Sequence, residues 1–312
     1  MKIIFMGTPD FAAVILESLI QAGHETVLAV TQPDKPKGRG KSVQFSAVKS
    51  AALAHNIEVY QPKRIREPEC AAYLKKYDAD IMVVAAFGQI LPEEILNMPR
   101  YGCVNVHASL LPKYRGAAPI QWAVINGDEK TGVTTMQMDA GIDTGDMLEK
   151  TEVMLAEDET GGSLFDKLSA VGAALCVQTL AHMEDGTVTR TKQDESQATY
   201  AGMIKKNMGI IDWTKPAAET ERLIRGLNPW PSAFTALGAK TLKIWKADVL
   251  EGGDASLAGT VVVSDKKHLV VQTGEGQLSL KEVQLEGKKR MPVEAFLRGY
   301  PVETGTVFSI DV

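Results

Sequence analysis

The chain has 312 residues, a net charge of -5 at neutral pH, 45% hydrophobic residues and 23% charged residues. This length suits two domains better than one, and the composition is ordinary for a globular protein, not a fibrous or disordered one. We find no uninterrupted apolar run of the roughly 18 residues that a membrane span requires, and no signal peptide. We therefore expect a cytoplasmic protein that does not engage a membrane.

Cysteine and charge patterns narrow the class further. Cys70, Cys103 and Cys176 are odd in number, lie far apart and form no CxxC pair, which is not typical of a disulfide framework or a structural zinc site. Residues 201–312 hold 15 Lys and Arg against 13 Asp and Glu, so the C-terminal third is basic within an acidic chain. This asymmetry suits a polyanionic partner, although scattered surface charge would produce it too.

The first part of the chain alternates strand and helix patterns. "KIIFMG" predicts a buried strand, and the helix that follows has Thr8 as a candidate cap, Pro9 in its first turn, and an apolar face of Phe11, Val14, Ile15 and Leu19. The strand-like segments "TVLAVTQ", "IEVYQ", "DIMVVAAFG" and "CVNVH" alternate with further helical patterns. Such βαβ units predict a largely parallel sheet, in which ligands bind at the carboxyl ends of the strands.

The later part of the chain changes pattern twice. After one long predicted helix, "TGGSLFDKLSAVGAALCVQTLAHME", comes the polar stretch "TVTRTKQDESQAT", and then many short strands with glycine turns that predict a small β-barrel. We predict an α/β fold: a domain with a mostly parallel sheet over 1–186, a linker over 187–204, and a small β-barrel over 205–312.

Two polar residues end the predicted strand "CVNVH". Asn105 and His107 are two apart and therefore share one face of the strand. An imidazole can transfer a proton near neutral pH, and a carboxamide can donate a hydrogen bond to a developing oxyanion. A purely structural interpretation, in which the histidine binds backbone and the asparagine closes a turn, remains open from the pattern alone.

Two further loops are candidates for function. The loop "MDAGIDTGD" carries Asp139, Asp143 and Asp146, any of which could orient His107 or simply cap a turn. The loop "TQPDKPKGRGKS" is basic and broken by proline and glycine, which suits contact with a phosphate backbone or a solvated surface loop. The turn "GTPDFA" lacks the GxGxxG pattern of a dinucleotide site, which disfavours a plain nucleotide-binding Rossmann protein.

Four segments, "GTPDFA", "TQPDKPKGRGK", "NVHASLLPKYRGAAPIQWAVINGD" and "DAGIDTGD", in this order and spacing, closely resemble the methionyl-tRNA formyltransferase family of folate-dependent formyltransferases. The resemblance runs over nearly the whole chain, including "RLIRGLNPWPSAF". It implies a Rossmann-like domain followed by an OB-like domain, 10-formyltetrahydrofolate as formyl donor, initiator methionyl-tRNA as acceptor, and no metal. A monomer is expected.

The resemblance also implies roles for individual residues. Asn105, His107 and Asp143 match the catalytic trio of the family. The expected folate-binding residues are Ser109, Leu110, Leu111 and Pro112, with Phe87, Gly88, Gln89 and Ile90 in the wall "AAFGQILP". The expected tRNA-binding residues are Lys35, Lys37, Arg39 and Lys41.

Two alternative functions share parts of this pattern. A folate formyltransferase acting on a small amine, such as an amino sugar or a purine precursor, would keep "NVHASLLP" without needing the basic loop or the barrel. A tRNA-binding protein with an inactive formyltransferase domain would need neither Asn105, His107 nor Asp143, and their presence weighs against it.

Overall fold

The computed structural model describes residues 1–37, 42–253 and 255–309. The chain forms two compact units. The first comprises Met1–Pro119, Lys130–Met154 and Phe165–Ala201, and the second comprises Ile120–Glu129, Leu155–Leu164 and Gly202–Val312. Residues 187–201, which the sequence assigns to a linker, therefore pack within the first unit. The functional division of the chain at 186 and 205 stays a prediction.

The first unit is built on strands that alternate with helices. Its strands are β1 (Lys2–Gly7), β2 (Glu25–Val30), β3 (Lys35–Lys37), β4 (Ser42–Gln44), β5 (Val59–Tyr60), β6 (Ile81–Ala85), β7 (Cys103–His107), β8 (Arg115–Gly116), β9 (Lys130–Gln137), β10 (Met147–Met154) and β11 (Tyr200–Ala201). Its helices are α1 (Asp10–Gln21), α2 (Ala47–Ala54), α3 (Pro68–Lys75) and α4 (Glu93–Leu96). Helix α5 (Pro119–Asn126) falls in the second unit from Ile120, and α6 (Gly161–Glu184) in the first from Phe165.

The main sheet has the order β10-β9-β7-β6-β1-β2-β5. The five strands from β7 to β5 are parallel, whereas β9 runs antiparallel to both β7 and β10. Strands β6 and β7 are buried along their whole length, as expected for parallel strands with both faces covered. The predicted parallel sheet is confirmed, and its carboxyl edge includes His107.

The first helix departs from prediction at its start. Pro9 occupies the N-cap position and no side chain caps the helix, so the prediction for Thr8 is wrong. The Thr8 hydroxyl instead donates a hydrogen bond of 3.4 Å to the carbonyl of Phe87, just beyond β6. Three of the four predicted apolar-face residues are buried, but Val14 is 40% exposed because it lies at the margin of that face.

Helix α6 is an exception to the expectation about membrane spans. Its 24 residues are long and apolar enough, by length and composition, to cross a membrane. Half of its most apolar window is buried inside the protein, however, and the core helix of a soluble protein meets the same criterion. The length and composition of α6 therefore do not by themselves indicate a membrane protein.

The second unit is dominated by antiparallel strands. Besides α7 (Ala217–Gly226), it contains β12 (Ala233–Leu237), β13 (Lys240–Leu250), β14 (Val261–Ser264), β15 (Leu269–Gln272), β16 (Gln277–Leu285), β17 (Met291–Pro292) and α8 (Val293–Gly299). The sheet order is β12-β13-β16-β15-β14, with β17 beside β16. Alternating residues such as Leu242 and Ile244 pack with Trp213 and Phe296 in one apolar core. The predicted β-rich C-terminal domain is confirmed.

Gly132 offers a test of the packing between β9 and β10. A Cβ atom there would meet the carbonyl oxygen of Thr151 and lie 2.6 Å from Leu110 Cδ2. We expect Gly132→Ala to lower the free energy of unfolding by about 1–3 kcal/mol, because overpacking forces the backbone apart. Urea unfolding measures this, with Gly202→Ala as a control, since a Cβ there meets nothing within 4 Å. Equal stability of the two variants would contradict this account.

Candidate active site

Strand β7 carries two polar side chains on a face that is otherwise apolar. Cys103, Asn105 and His107 alternate with Val104 and Val106, so their side chains lie on one side of the sheet. Cys103 packs into an apolar cluster with Met82 and Ile95, whereas Asn105 and His107 continue this face toward the carboxyl end of the strand. Asn105 is 9% exposed and His107 is 6% exposed, so both are largely shielded from water.

The structure selects Asp143 from the three candidate aspartates. Asp143 Oδ1 accepts a hydrogen bond of 3.3 Å from Asn105 Nδ2, and Asp143 Oδ2 lies 3.6 Å from His107 Nδ1. Asp139 instead closes its own turn, accepting hydrogen bonds from Gly141 N and Thr144 Oγ1. The predicted trio of Asn105, His107 and Asp143 therefore comes together in space.

The second ring nitrogen of His107 is fixed by the backbone. His107 Nε2 lies 2.9 Å from the carbonyl oxygen of Tyr114. Because a carbonyl oxygen can only accept, Nε2 carries the hydrogen in this contact. The neutral ring then has its lone pair on Nδ1, the nitrogen that faces Asp143. His107 is thus oriented so that Nδ1 is the atom that can gain or lose a proton.

The Asp143 carboxylate is held in a backbone conformation that few residues adopt. Asp143 has φ +54°, in the left-handed region that aspartate tolerates better than most side chains. Its Oδ2 also accepts a hydrogen bond of 2.8 Å from the backbone N–H of Gly116. Gly116 has φ +112°, and a Cβ there would lie 2.8 Å from the carbonyl oxygen of Ala201. A glycine is therefore required where this donor approaches the carboxylate.

A segment beyond α6, residues 187–201, which we call the strap, fastens the loop that carries Asp143. Gln193 Nε2 donates hydrogen bonds to the carbonyl oxygens of Asp143 (2.7 Å) and Gly145 (2.8 Å). Gln193 Oε1 accepts a hydrogen bond of 3.0 Å from Arg115 Nε. Arg115 is fully buried, and its two terminal nitrogens donate to both carboxylate oxygens of Glu195 at 2.9 and 2.7 Å.

Buried contacts hold the predicted folate loop, residues 109–112, in place. Ser109 is fully buried and its hydroxyl donates to the carbonyl of Lys113, while Leu111 packs with Met136 and Met147. Thr134 donates to the carbonyl of Ser109 and accepts from the N–H of Leu111. Leu110 and Pro112 remain half-buried. Leu110 and Pro112 thus keep some exposed surface, whereas Ser109 and Leu111 are buried in the turn, and the folate-binding role of all four stays a prediction.

The second predicted folate segment also contains two kinds of residue, those engaged within the protein and those that are exposed. Phe87 is buried in the core, and Gln89 is occupied by the N–H of Ile65 and the carbonyl of Pro62. Gly88 is exposed, and Ile90 is 70% exposed. An apolar side chain this exposed, beside a glycine, is the part of the segment that is free to contact a ligand.

The basic loop lies mainly outside the described residues. Arg39 and Lys41 are not described, and for Lys35 and Lys37 only the backbone is, as part of β3 paired with β4. The neighbouring surface holds a cavity of about 730 Å³ at the carboxyl ends of β1 and β2, lined by Thr8, Gln32, Asp34, Phe45 and Ser46 among others. The predicted tRNA-binding role of these four residues stays a prediction.

The three cysteines are free and buried, and burial raises the pKa of the Cys103 and Cys176 thiols to about 12. Neither therefore supplies a thiolate nucleophile at neutral pH. Within the described part of the chain, no group of three or more His, Cys, Asp or Glu could hold a metal ion. The expectation that no metal takes part stays a prediction.

Comparison with known families accounts for both units. The model described as "Formyl transferase" matches residues 1–180, and the model described as "Formyl transferase, C-terminal domain" matches residues 203–301. Together they cover most of the chain. The fold and the Asn105, His107 and Asp143 cluster thus define a protein of the formyl transferase class.

Full-length relatives narrow the class. The chain is 63% identical over 310 residues to the methionyl-tRNA formyltransferase of Agathobacter rectalis, covering 99% of this chain and 100% of the relative. It is 56% identical over 312 residues to the methionyl-tRNA formyltransferase of Lachnospira eligens, covering 98% and 99%. The chain belongs to the methionyl-tRNA formyltransferase family.

Solved structures share the fold at low sequence identity. An N-formyltransferase from Helicobacter canadensis, in complex with folinic acid and dTDP-3-aminofucose, matches with a TM-score of 0.67 and 19% identity, covering 90% of this chain and 98% of that one. HypX from Aquifex aeolicus, in complex with tetrahydrofolic acid, matches with a TM-score of 0.63 and 15% identity, covering 99% and 50%. At these identities the likeness shows the fold alone.

Sequence reasoning missed several supporting residues. Tyr114, Gly116 and Thr134 act through backbone or hydroxyl contacts, and only Gly116 gave a signal, as the glycine of the "KYRG" turn. Gln193 lay in a polar stretch with no periodicity, and its partner Asp143 is 50 residues earlier in the chain. No spacing rule connects positions so far apart.

The Arg115–Glu195 pair predicts a pH-dependent stability. Hydrogen bonds from Arg115 hold the pKa of the Glu195 carboxyl below its usual 4.5. The folded state thus binds the proton less readily than the unfolded state, so the stabilisation is complete above 4.5 and is lost as the pH falls toward the lowered pKa. We expect Glu195→Gln to be less stable than wild type at neutral pH, because the buried Arg115 loses its anionic partner, with the difference shrinking below pH 4.5.

Urea unfolding at a series of pH values measures this difference. Glu157→Gln, which changes an exposed glutamate elsewhere in the chain, is the control. A stability difference between wild type and Glu195→Gln that stays constant with pH would show that the ion pair does not act in this way.

Proposed function

We propose that this protein transfers the formyl group of 10-formyltetrahydrofolate to the α-amino group of methionine on initiator tRNA, producing N-formylmethionyl-tRNA for translation initiation. The observation that carries the proposal is the contact of Asn105, His107 and Asp143 at the carboxyl end of β7. The relatives, methionyl-tRNA formyltransferases similar along the whole chain, support the choice of acceptor.

The reaction begins with attack of the neutral amine on the formyl carbon. A carbon–nitrogen bond forms and the formyl oxygen becomes an oxyanion. Asn105 is placed to stabilise this charge, because its amide has two N–H groups and Asp143 uses one of them. Removal of one such oxyanion donor typically costs roughly 10²–10³ in rate.

His107 then carries the proton. Its Nε2 is occupied by Tyr114, so Nδ1 accepts the proton from the attacking amine and returns it to the folate nitrogen as the carbon–nitrogen bond to folate breaks. The Asp143 carboxylate, 3.6 Å from Nδ1, stabilises the charged imidazole between these two steps. The proton of the amine thus ends on the folate nitrogen, and the reaction needs no covalent enzyme intermediate.

The surface beside this trio suits a folate. Leu110 and Pro112 on one loop and Gly88 and Ile90 on the other expose apolar surface and backbone next to β7. A flat aromatic ring such as the pterin needs this combination, since its faces are apolar and its edges form hydrogen bonds. Ser109, Leu111, Phe87 and Gln89 would complete the folate site and shape these two loops from within.

The acceptor tRNA would be held by separate elements. The basic loop with Lys35, Lys37, Arg39 and Lys41 would contact the phosphate backbone, and the relatively basic residues 205–312 would add a second binding domain. Catalysis would then lie within residues 1–186, which also carry the basic loop, and residues 205–312 would form the second tRNA-binding domain. Both substrates are cytoplasmic, and one copy of the chain holds every proposed site, so a cytoplasmic monomer suffices.

One assay tests the proposal as a whole. The protein is mixed with 10-formyltetrahydrofolate and charged initiator tRNA, and formyl-methionine is measured after hydrolysis of the ester. Parallel reactions offer an amino sugar nucleotide or a purine precursor amine in place of the tRNA. Formylation of a small amine in preference to methionyl-tRNA would overturn the assignment of the acceptor.

His107→Ala should lower turnover by roughly 10²–10⁴, because a positioned acid or base is lost. His55→Ala is a matched control, since that ring lies at the surface, bound to Glu17. Steady-state formylation gives the rates, and circular dichroism shows whether each variant keeps its fold. Near-normal turnover in a folded His107→Ala variant would remove the proposed role.

Arg39→Ala should weaken the use of methionyl-tRNA and lower the slope of log K against log salt by about one, because one phosphate contact is lost. Binding of 10-formyltetrahydrofolate should not change. Lys130→Ala is the control, since Lys130 is an exposed lysine paired with Glu152. Loss of folate binding with unchanged tRNA binding would show that this loop has been assigned the wrong substrate.

A further inference from the structure

We infer that Gln193 is a positioning residue for catalysis, and that the strap, residues 187–201, is part of the catalytic apparatus. The inference rests on the proposed function, since Gln193 touches no reacting atom and acts through Asp143. Its side chain hydrogen-bonds the backbone of the loop whose carboxylate faces His107.

Both polar atoms of the Gln193 side-chain amide form hydrogen bonds. Its nitrogen donates to the carbonyls of Asp143 and Gly145 at 2.7 and 2.8 Å, so both N–H groups bind the same loop. Asp143, the first of these two residues, has a left-handed conformation, φ +54°, that a free loop would rarely keep. Two donors from one rigid amide are well suited to hold the backbone in that conformation.

The direction of the amide is set by a buried charge. Arg115 Nε donates to Gln193 Oε1 at 3.0 Å, and a guanidinium has no acceptor, so the oxygen of the amide must face Arg115 and its nitrogen must face the loop. Arg115 is fully buried and bound to both oxygens of Glu195, a second residue of the strap. The amide cannot flip without leaving this buried guanidinium short of an acceptor.

The strap also holds the other partners of the trio. Thr199 accepts from the backbone N–H groups of Tyr114, through its hydroxyl, and of Arg115, through its carbonyl, each at 2.8 Å. Tyr114 supplies the carbonyl that binds His107 Nε2, and Gly116 supplies the N–H that binds Asp143 Oδ2. At the other end, Thr191 pairs with Met147, directly after the Asp143 loop. One segment therefore sets the positions of both His107 and Asp143.

The test uses Gln193→Glu and Gln193→Met in the full chain. The first keeps the acceptor for Arg115 and replaces the two donors with an oxygen, and the second keeps the length without polar atoms. Both should lower kcat by up to about 10²-fold, the effect of a misplaced catalytic group, with KM for tRNA and folate unchanged. Gln178→Ala changes an exposed glutamine of α6 that donates to Glu149, outside the strap, and should keep wild-type kcat.

A double-mutant cycle with Asp143→Asn separates a positioning role from general stabilisation. If Gln193 acts through Asp143, adding Gln193→Met to Asp143→Asn should cause little further loss, because the two act as one unit. Three outcomes would each overturn the inference. The losses in kcat could multiply in the double mutant, or both folded Gln193 variants could keep the wild-type kcat. The fall in kcat could also match the fraction of unfolded protein.

The same set distinguishes the inference from the proposed function. An Asp143→Asn variant with wild-type turnover would refute the proposed role of the carboxylate itself. An impaired Asp143→Asn variant beside fully active Gln193 variants would refute only the positioning role of the strap.

Discussion

A carboxylate that is to stabilise a charged imidazole must be held at a fixed distance before substrate arrives, and donors fixed by the fold provide this better than mobile water. Asp143 meets this condition through Asn105 and Gly116 at its two oxygens and Gln193 at its backbone. Each donor comes from a different part of the chain. The parallel sheet, the turn after β7 and the strap are all needed to bring these donors to one carboxylate.

The buried guanidinium of Arg115 explains why so polar a segment is ordered. A charge removed from water requires nearly all its donors to be satisfied, and the acceptors come from Gln193 and Glu195 of the strap. Glu195 itself remains at the surface, so only one of the two charges carries the full cost of desolvation. The strap is polar because its side chains accept and donate hydrogen bonds and do not pack in an apolar core.

Local patterns in the sequence predicted what depends on local chemistry. The alternation of side chains along a strand placed Asn105 and His107 on one face of β7, and the sequence pattern of residues 160–184 predicted α6. The cap of α1 was mispredicted because Thr8 finds a partner beyond β6, which no local rule contains. The choice among Asp139, Asp143 and Asp146 depended on which loop residue adopts a left-handed conformation against β7, and resemblance, not spacing, identified it.

Contacts between residues far apart in the sequence could not be predicted either, because no local rule contains them. Gln89 accepts a hydrogen bond from the N–H of Ile65 and donates one to the carbonyl of Pro62, contacts that no local pattern contains. Gln193 seemed part of a connection, yet it binds a loop 50 residues earlier. A polar side chain in a loop carries no periodicity, so its partner becomes visible only when the chain is folded.

The strap has a consequence for how the protein matures on the ribosome. Residues 103–146 contain every reacting group of the proposed site, but the strap residues that also hold them arrive only with 191–201, after the 24-residue helix α6 has been made. A nascent chain that ends within α6 has the strands of the sheet but lacks the hydrogen bonds from Gln193 to the Asp143 loop. When a domain folds during synthesis, the contacts of its last residues form last. Catalytic activity would therefore appear later than the sheet. The delay would be the time needed to translate and dock α6 and the strap.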